Sequence, residues 1–527
     1  MKIIAIFYAV LVNSPTFSLY LHRICVISSF FTLHSSLFTF HFSFFSFMPR
    51  LPHPLVSAIP IVVLIGLLAL VISLYGSDSL SGGSQMALMM ASAVCICISA
   101  FRYKTPWMAF ERQIKQTIGK VSITIVMLLI IGMLSGAWMI SGTVPTLIYY
   151  GVQIMSPRFF LVTSCIICAM VSLLSGSSWT TIATIGVALL GIGHALGVNE
   201  AWVAGAIISG AYFGDKMSPL SDTTILASSA TDTDIFAHIR YMVYTTLPTI
   251  SIALVIYLIA GFWFDSDQTV AVSDYTEGLS RTFNISLWTL LIPIVTGILI
   301  ARKVPSLVTL FLSAVLAGVF ALILQPQVLN EIGDESILRG LTTTFFGGTS
   351  VETGSASLNE LVSTGGMAGM LNTIWLIICA MCFGSVMVAS RMLESLTNLL
   401  LRRVRTRVGL VSSTVGSGLF LNVTTGDQFI SIVLTADIFR EAYNREGYES
   451  RLLSRTTEDA ATVTSVLIPW NTCGLTQSTV LGVPTIAYLP YCFFNILSPI
   501  TSIVVAAIGW KIRKRISHAS EVTSVNE

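Results

Sequence analysis

Charged residues are scarce in this sequence. Only 10% of its 527 residues are Asp, Glu, Lys or Arg, whereas soluble domains carry about 25%. Hydrophobic residues make up 54%, and the mean hydropathy is +0.82. The formal net charge of +2 indicates no particular partner. We therefore predict an all-α polytopic membrane protein that has the lipid bilayer as its surroundings and no nucleic-acid partner.

The sequence also lacks the motifs of hydrolytic enzymes and of direct ATP use. It contains neither H-E-x-x-H nor G-x-S-x-G, and no Gly-rich phosphate loop of the form G-x-x-x-x-G-K-[ST]. Two C-x-x-C pairs stand without an accompanying His or second pair, which favours cysteines that pack between helices; they are Cys165 with Cys168 and Cys379 with Cys382. We expect a protein that is not an enzyme and needs no cofactor.

Acidic residues are absent from residues 1–47, a Phe- and Ser-rich segment. One interpretation is a signal peptide, with Lys2 as its charged start and Ile3–Val12 as its apolar core. The other, which we favour, is that translation starts at Met48 and that residues 1–47 are an extension outside the functional chain.

Long apolar runs follow, and several are long enough to cross a bilayer, which takes about 20 residues. The segment Arg102–Lys120 is basic, so the positive-inside rule predicts a cytoplasmic loop there and an outward span over Val121–Ile140. Leu371–Ala389 leads into a second basic segment and is predicted to run inward. The basic residues from Lys511 to Arg515 place the C-terminus in the cytoplasm.

Carboxylates interrupt the apolar pattern between Gly210 and Asp234, with Pro219 preventing a continuous helix. The charged residues of this stretch are Asp215, Lys216, Asp222, Asp232 and Asp234. Buried carboxylates in a membrane usually mark an ion pathway or a charge pair. Upstream, the small hydroxyl residues of Ser175–Thr181 indicate either the tip of a re-entrant hairpin or a helix-packing face.

The same two features recur in the second half. Asn422–Gln428 is another polar tip with a glycine, and Glu458–Gly474 contains acidic residues, a proline and an asparagine. The two helices that precede the tips are predicted to run in opposite directions, which is typical of an inverted-topology repeat. We predict about 10–13 transmembrane helices, with two inverted repeats that each contain a re-entrant hairpin and a broken helix. The predicted regions are an extension 1–47, a first repeat 48–264, connecting elements 265–366, a second repeat 367–510 and a cytoplasmic tail 511–527.

The two polar tips are Ser175–Thr181 and Asn422–Gln428, and the two helix breaks lie within Gly210–Asp234 and Glu458–Gly474. Tips and breaks offer carboxylate, hydroxyl and amide oxygens, which are the ligands that a hard cation such as Na⁺ prefers. A carboxylate that binds either Na⁺ or H⁺ gives exchange by competition. The first choices for the Na⁺ site are Asp222 and Asp427, followed by Asp215 and Asp459. The other candidate ligands are Ser177, Ser178, Thr180, Thr223, Asn422, Thr424, Thr425, Asn471 and Thr472.

Each carboxylate also has a structural alternative. Asp215 can form an ion pair with the adjacent Lys216 at a helix end. Glu458 and Asp459 can pair with Arg451 or Arg455 at the cytoplasmic surface. Asp232 and Asp234 are better explained by a solvated loop.

Two long motifs resemble the signature of NhaC-type Na⁺/H⁺ antiporters. They are G-D-K-M-S-P-L-S-D-T-T (Gly214–Thr224), followed by D-I-F-A-H-I-R (Asp234–Arg240), and the block Ser454–Gly474, followed by L-G-V-P-T-I-A-Y-L-P-Y (Leu481–Tyr491). The resemblance covers about Met48 to Arg515. It implies a bacterial inner-membrane exchanger of Na⁺ and H⁺, with inverted repeats and re-entrant hairpins, that works by alternating access.

One position departs from the family pattern. Family members usually have Asn after S-D-T-T, where this chain has Ile225, and this leaves the cation site and the substrate open. Relatives on the same scaffold exchange organic acids such as malate and lactate together with Na⁺ and H⁺. An organic anion would require a positive charge at its site, and Lys216 is the intramembrane candidate. The sequence leaves the oligomeric state open, with a homodimer as one alternative.

Overall fold

The computed structural model describes residues 51–75, 82–263, 269–353, 358–359, 362–401 and 406–514. The predicted extension 1–47 lies outside the described residues, as does most of the predicted tail 511–527. Within the described ranges, nine helices are long and apolar enough to cross a membrane, or up to eleven when two bent helix pairs each count as one span. The prediction of an all-α polytopic membrane protein is confirmed.

Nine helices lie within the described residues up to Gly261, on both sides of the first break. They are α1 (Pro54–Tyr75), α2 (Gly83–Tyr103), α3 (Trp107–Ile140), α4 (Thr143–Ile154), α5 (Pro157–Ser175), α6 (Ser178–Ala195), α7 (Glu200–Met217), α8 (Asp222–Ala230) and α9 (Ile235–Gly261). Connecting helices follow, namely α10 (Thr269–Thr282), α11 (Leu287–Ala301), α12 (Ser306–Leu324), α13 (Pro326–Ile332) and α14 (Ile337–Phe346).

The second half repeats this pattern. Its helices are α15 (Leu371–Ala389), α16 (Met392–Leu401), α17 (Arg407–Thr425), α18 (Gln428–Arg445), α19 (Ser450–Thr457), α20 (Thr472–Leu481), α21 (Thr485–Tyr488) and α22 (Phe493–Ile508). α19 continues through a π-helical turn, Glu458–Thr462, and ends in a 3₁₀ turn, Ser465–Leu467. α6 also contains a π-helical turn, Ile182–Gly186.

A constant offset of 250 positions relates the two halves. Arg407 begins α17 250 positions after Pro157 begins α5, and Thr472 begins α20 250 positions after Asp222 begins α8. Gly176 and Gly426, the turns at the two tips, share the same offset and have φ of +68° and +66°. A side chain would be strained at such a φ, so glycine suits both turns. Pro219 and Pro469 stand in the two breaks, again 250 positions apart.

Equivalent hydrogen bonds support the same correspondence. The Ser172 hydroxyl donates to the Ala211 carbonyl, and Asn422, its equivalent, donates through Nδ2 to the carbonyl of Ala461 at 2.7 Å. These bonds hold each tip helix against the helix that leads to its break.

The two repeats have opposite directions. α9 and α22 are equivalent helices and pack against each other: Tyr257 contacts Phe493 at one end, and Tyr244 contacts Trp510 at the other. Residue numbers therefore rise along α9 as they fall along α22, so the two helices are antiparallel. Equivalent helices that run antiparallel are what an inverted repeat requires.

The segment Arg102–Lys120 is not the loop that its charge pattern predicts. It is helical from Trp107 onward, and α3 runs for 34 residues. At 1.5 Å per residue this helix is about 51 Å long, which exceeds the hydrocarbon thickness of about 30 Å. The additional length carries the polar residues Glu111, Arg112, Gln113, Lys115 and Gln116, and the segment is helical because all of these are good helix formers.

Candidate functional site

The first break places a buried carboxylate beside the first tip. α7 ends at Met217 and α8 begins at Asp222, so Ser218–Ser221 is non-helical, as Pro219 predicts. Asp215, in the last turn of α7, is 6% exposed. Its Oδ2 accepts hydrogen bonds from the Ser178 hydroxyl at 2.7 Å and from the Ser178 backbone N–H at 3.2 Å. The tip thus supplies two donors that compensate for burying this carboxylate.

Asp222 occupies a different environment from Asp215. It is the first residue of α8 and is exposed, whereas the next residue, Thr223, is buried. Ser221 caps α8 by accepting the backbone N–H of Thr224 at 3.4 Å. A carboxylate at this helix end is favoured by the positive end of the helix dipole.

A cavity of about 250 Å³ connects these groups. It is lined by both carboxylates of the break, by the first tip, by one face of α3 and by the start of α18. The lining residues that bear on cation binding are Ser177, Asp215, Asp222, Thr223, Gln428 and Lys120. The tip and break of the first repeat therefore share one cavity with the tip of the second.

The remaining first-repeat candidates support the tip itself. Ser177 caps α6 by accepting the backbone N–H of Thr180 at 3.2 Å, and the Thr180 hydroxyl also donates to Ser177 Oγ at 3.1 Å. Ile225, the position that departs from the family pattern, is 43% exposed on α8. The wall that α8 contributes to the cavity consists of Asp222 and Thr223.

The second tip and second break form their own polar cluster. Asp427 is 1% exposed and caps α18, accepting the backbone N–H of Ile430 at 2.8 Å. The Thr472 hydroxyl reaches Asp427 Oδ2 at 3.4 Å. Asn471 caps α20 and donates through Nδ2 to the Asn422 carbonyl at 3.2 Å. These contacts bring together four predicted site residues, Asp427, Thr472, Asn471 and Asn422. Asp427 directly precedes Gln428, which lines the cavity.

Two further candidates in this tip bond to their own helix. The hydroxyl of Thr424 donates to the carbonyl of Phe420, and that of Thr425 donates to the carbonyl of Leu421, both at 2.8 Å. The Thr425 hydroxyl also lies 3.2 Å from the Asp427 carbonyl and 3.1 Å from Ser431 Oγ, so it also links α17 to α18.

Asp459 lies in a buried charge cluster between the repeats. Its Oδ1 accepts hydrogen bonds from Lys216 and, at 3.1 Å, from Thr245. Asp459 Oδ2 lies 3.8 Å from Nε of Arg455, whose guanidinium stacks on Tyr241 with 4.6 Å to the ring centroid. Lys216, Arg455 and Asp459 are all 0% exposed. Lys216 is thus paired with Asp459 across the repeats and not with its neighbour Asp215.

Asp232 and Asp234 lie at the surface turn before α9, where the solvated-loop alternative places them. Asp232 forms an ion pair with Arg440 at 3.1 Å, and Asp234 caps α9. His238, four residues further on, is buried and bonded through Nδ1 to the Ser454 hydroxyl at 2.7 Å.

Three residues of this region were not among the predicted site residues. Gln428 lines the cavity and accepts the Ser465 hydroxyl at 2.8 Å. Lys120 belongs to the segment assigned to a loop, yet its side chain lines the cavity. Glu458 is 0% exposed and accepts the Thr223 hydroxyl at 3.3 Å. The constant offset of 250 identifies Gln428 as the equivalent of Ser178. Glu458 belongs to the acidic segment Glu458–Gly474 but was interpreted as a surface ion-pair residue, and no local pattern marks Lys120 as a cavity residue.

Comparison with known proteins assigns the family. The model of the Na⁺/H⁺ antiporter family matches residues 210–510. The chain is 37% identical over 432 residues to the Na⁺/H⁺ antiporter NhaC of Alkalihalophilus pseudofirmus, covering 81% of this chain and 92% of that protein. It is 33% identical over 422 residues to NhaC of Bacillus subtilis, covering 80% and 91%. It is also 34% identical over 379 residues to the malate-2H⁺/Na⁺-lactate antiporter of Bacillus subtilis, covering 71% and 78%.

These relatives are antiporters and not enzymes, and they come from bacteria. The match of the family model, residues 210–510, includes the two motifs that carry the resemblance in the sequence. The chain belongs to the Na⁺/H⁺ antiporter family and is of the NhaC type.

Proposed function

We propose that this protein exchanges Na⁺ for H⁺ across the cytoplasmic membrane of a bacterium. The observation that carries the proposal is the cavity in which Asp215 and Asp222 meet the Ser177 and Thr223 hydroxyls. Carboxylate and hydroxyl oxygens are ligands suited to Na⁺. Family membership independently indicates Na⁺ and H⁺ as the substrates.

Na⁺ and H⁺ compete for the same carboxylates, and this competition couples the transport of the two ions. Asp215 and Asp222 both line the cavity, and Ser178 donates two hydrogen bonds to the buried Asp215. A proton and a Na⁺ ion each neutralise a carboxylate, and burial penalises leaving that charge uncompensated. The site is therefore stable with either ion bound. Carrying Na⁺ in one direction and H⁺ in the other completes one exchange. Asp427 with Thr472, Asn471 and Asn422 is the second-repeat part of the proposed binding region.

Alternating access is supported by the inverted repeat. One break, at residues 218–221, adjoins the cavity residue Asp222. The other, at residues 468–471, adjoins Thr472, which contacts Asp427. Rocking of one repeat against the other about broken helices would expose such a site to each side in turn.

A second candidate function is the coupled exchange of small organic acids. The observation that favours it is Lys120, which places a positive charge on the cavity wall. One relative is named as a malate-2H⁺/Na⁺-lactate antiporter. Lys216, the sequence-based candidate for binding such an anion, is paired with Asp459, so Lys120 takes its place in this alternative.

Everted membrane vesicles containing a pH-gradient dye test both candidates. Addition of Na⁺ should collapse a preformed gradient in vesicles containing the wild-type protein. Asp222→Asn should abolish the response, whereas Asp334→Asn, at an exposed ion pair with Arg339, should leave it unchanged. A response that requires added malate or lactate would establish the organic-acid alternative. A wild-type protein that responds to neither cation nor acid would refute both.

The proposed orientation has the C-terminus in the cytoplasm. Lys511, Arg513 and Lys514 follow α22 directly, and basic residues next to a membrane helix favour the cytoplasmic side. A reporter fused to the C-terminus that is active only in the periplasm should stay silent. A reporter that becomes active there would reverse the orientation.

A further inference from the structure

Glu458 is the buried acidic residue that the proposed exchange leaves without a role. It lies in the π turn of the second repeat and is 0% exposed. Its Oε1 accepts a hydrogen bond from Thr223 of the first repeat at 3.3 Å. Within the described part of the chain, its Oε2 has no hydrogen-bond partner. A buried carboxyl that is so sparsely bonded is the kind of group that exchanges a proton instead of holding a fixed charge.

Two hydroxyls lead from Glu458 back to the cavity. The Thr223 hydroxyl lies 2.9 Å from Ser221 Oγ, and either oxygen can be the donor. Ser221 stands in the break that begins three residues after Asp215, and Asp215 and Thr223 both line the cavity. The two hydroxyls therefore link Glu458 to the break that follows the cavity carboxyl.

We propose that Asp215, Ser221, Thr223 and Glu458 form a proton relay, in which Glu458 stores the transported proton while the cavity holds no Na⁺ and passes it through Asp215 to the cavity as Na⁺ enters. This inference rests on the proposed Na⁺/H⁺ exchange and adds the residues that move the proton. Thr223 thereby becomes part of the proton path in addition to its place in the cavity wall.

The proton transfer balances within these four residues. When Glu458 is protonated, it donates to Thr223, Thr223 donates to Ser221, and Ser221 donates to the Asp215 carboxylate. Transfer moves one proton along each bond, so Glu458 ends as a carboxylate and Asp215 as a carboxylic acid. The two hydroxyls reverse their direction and remain neutral, which gives the arrangement with Thr223 donating to Glu458.

The surrounding charges allow Glu458 to ionise. Lys216 on α7 attracts its charge, and Asp215 repels it. Arg455 and Asp459 lie on the same element, and His238 on α9 is bonded to Ser454. Lys216 and Arg455 against Asp459 leave one positive charge in the buried cluster, which an ionised Glu458 compensates.

The inverted repeat does not duplicate the relay. The position equivalent to Glu458 is Ile208, and the position equivalent to Asp215 is Ser465. Neither of these side chains can store a proton, so the second break has no matching pair of carboxyls.

Two transport assays on reconstituted protein test the relay. The first measures ²²Na⁺ uptake driven by a pH gradient, and the second measures ²²Na⁺ counterflow against Na⁺, which moves no net proton. Glu458→Gln should reduce the first by about a hundredfold, the scale of a lost proton-transfer group, and should retain the second. A Glu458→Gln variant with wild-type gradient-driven uptake would overturn the relay, as would a folded variant that loses both activities.

A matched pair of substitutions tests the hydroxyl path. Thr223→Val keeps the side-chain shape but removes the hydroxyl, so gradient-driven uptake should fall to the level of Glu458→Gln. Thr223→Ser restores a hydroxyl and should recover most of the uptake. Thr344→Val removes a buried hydroxyl that donates to the Gly340 carbonyl of its own helix, and should behave as wild type. Equal activity of the Val and Ser variants at position 223 would refute the path.

A spectroscopic measurement separates this inference from the proposed function. Infrared difference spectra of the purified protein, with and without Na⁺, should contain a carboxylic-acid carbonyl band that is absent in Glu458→Gln and shifted in Thr223→Val. A wild-type protein that transports no Na⁺ would refute the proposed function, and the band would still test the relay. Absence of a band that depends on Glu458 would overturn the relay whether or not the protein transports Na⁺.

Discussion

Lys216 of the first repeat and Asp459 of the second form an ion pair in which both side chains are fully buried. The two residues are 243 positions apart in the chain. Asp459 also has Arg455 within 3.8 Å, so one carboxylate serves two cations.

This sharing predicts unequal effects of removing each partner. Asp459→Asn leaves two buried cations without their carboxylate and should lower the free energy of unfolding by about 3–5 kcal/mol. Lys216→Met should cost less, because Asp459 can then pair with Arg455. Thermal unfolding in detergent measures both. Lys115→Met, at an exposed pair with Glu111, is the control and should shift stability by less than about 0.5 kcal/mol. Equal losses for the two buried variants would contradict the sharing.

The two tip glycines should differ in their tolerance of alanine. A Cβ at Gly176 would lie 2.7 Å from the backbone carbon of Leu220, whereas at Gly426 its nearest neighbour is Ala380 Cβ at 3.2 Å. Both variants pay about 1–2 kcal/mol for the left-handed backbone. Gly176→Ala should therefore be clearly less stable and less active than Gly426→Ala.

Thermal unfolding and Na⁺-dependent exchange measure this difference between the tips. Gly297→Ala is the control, since a Cβ there meets nothing within 4 Å and the residue lies inside α11. Alanine is the better helix former by about 1 kcal/mol, so this variant should be at least as stable as wild type. A Gly426→Ala variant more damaged than Gly176→Ala would show that steric contact does not decide the outcome.

Removal of the cavity lysine should separate the two proposed substrates. Lys120→Gln removes a positive charge from the wall that holds Asp215 and Asp222. For cation exchange we expect the KM for Na⁺ to fall by about two- to fivefold, the effect of a nearby charge in a hydrated cavity. For organic-acid exchange the same change should abolish uptake of the acid. Lys115→Gln, which lies on the same helix but faces Glu111, should alter neither.

The hydrogen bond between Ser178 and Asp215 should matter more than its equivalent between Ser465 and Gln428. Bonds to a charged group contribute about 1.5–3 kcal/mol, against about 0.5–1.5 kcal/mol for neutral pairs. Ser178→Ala should therefore change the KM for Na⁺ by about tenfold or more, because the bond tunes a carboxylate in the cavity. Ser465→Ala should reduce stability slightly and change that KM little. Equal KM values in the two variants would exclude a role for Ser178 in setting the charge of Asp215.

Local features of the sequence were sufficient to predict the breaks and tips. Pro219 has no backbone N–H to continue a helix, and Gly176 and Gly426 mark the turns because their φ is positive. The match between the halves could also be read from the sequence, because a polar tip and a proline-containing break recur in each half.

Contacts between distant segments could not be predicted in this way. Asp215 beside Lys216 suggests a local ion pair, yet the helical backbone directs one side chain to the first tip and the other to the second repeat. Glu458 next to Asp459 reads as a surface pair, whereas packing against α7, α8 and α9 of the first repeat buries both. Lys120 was assigned to a loop because charge indicates which side of the membrane a segment lies on but not where its helix begins.

The 250-position offset relates the backbones of the two halves but not their ionisable groups. Asp222 corresponds to Thr472, Asp427 to Ser177, and Asp459 to Ser209. An inverted repeat of identical halves would have inward-open and outward-open forms of equal free energy. In the proposed exchange the two forms would surround the ion with different neighbours, because equivalent positions carry different side chains, and they would therefore differ in energy. We therefore expect unequal KM values for Na⁺ on the two faces of the membrane. The ion gradients at which net exchange stops are the same from either side.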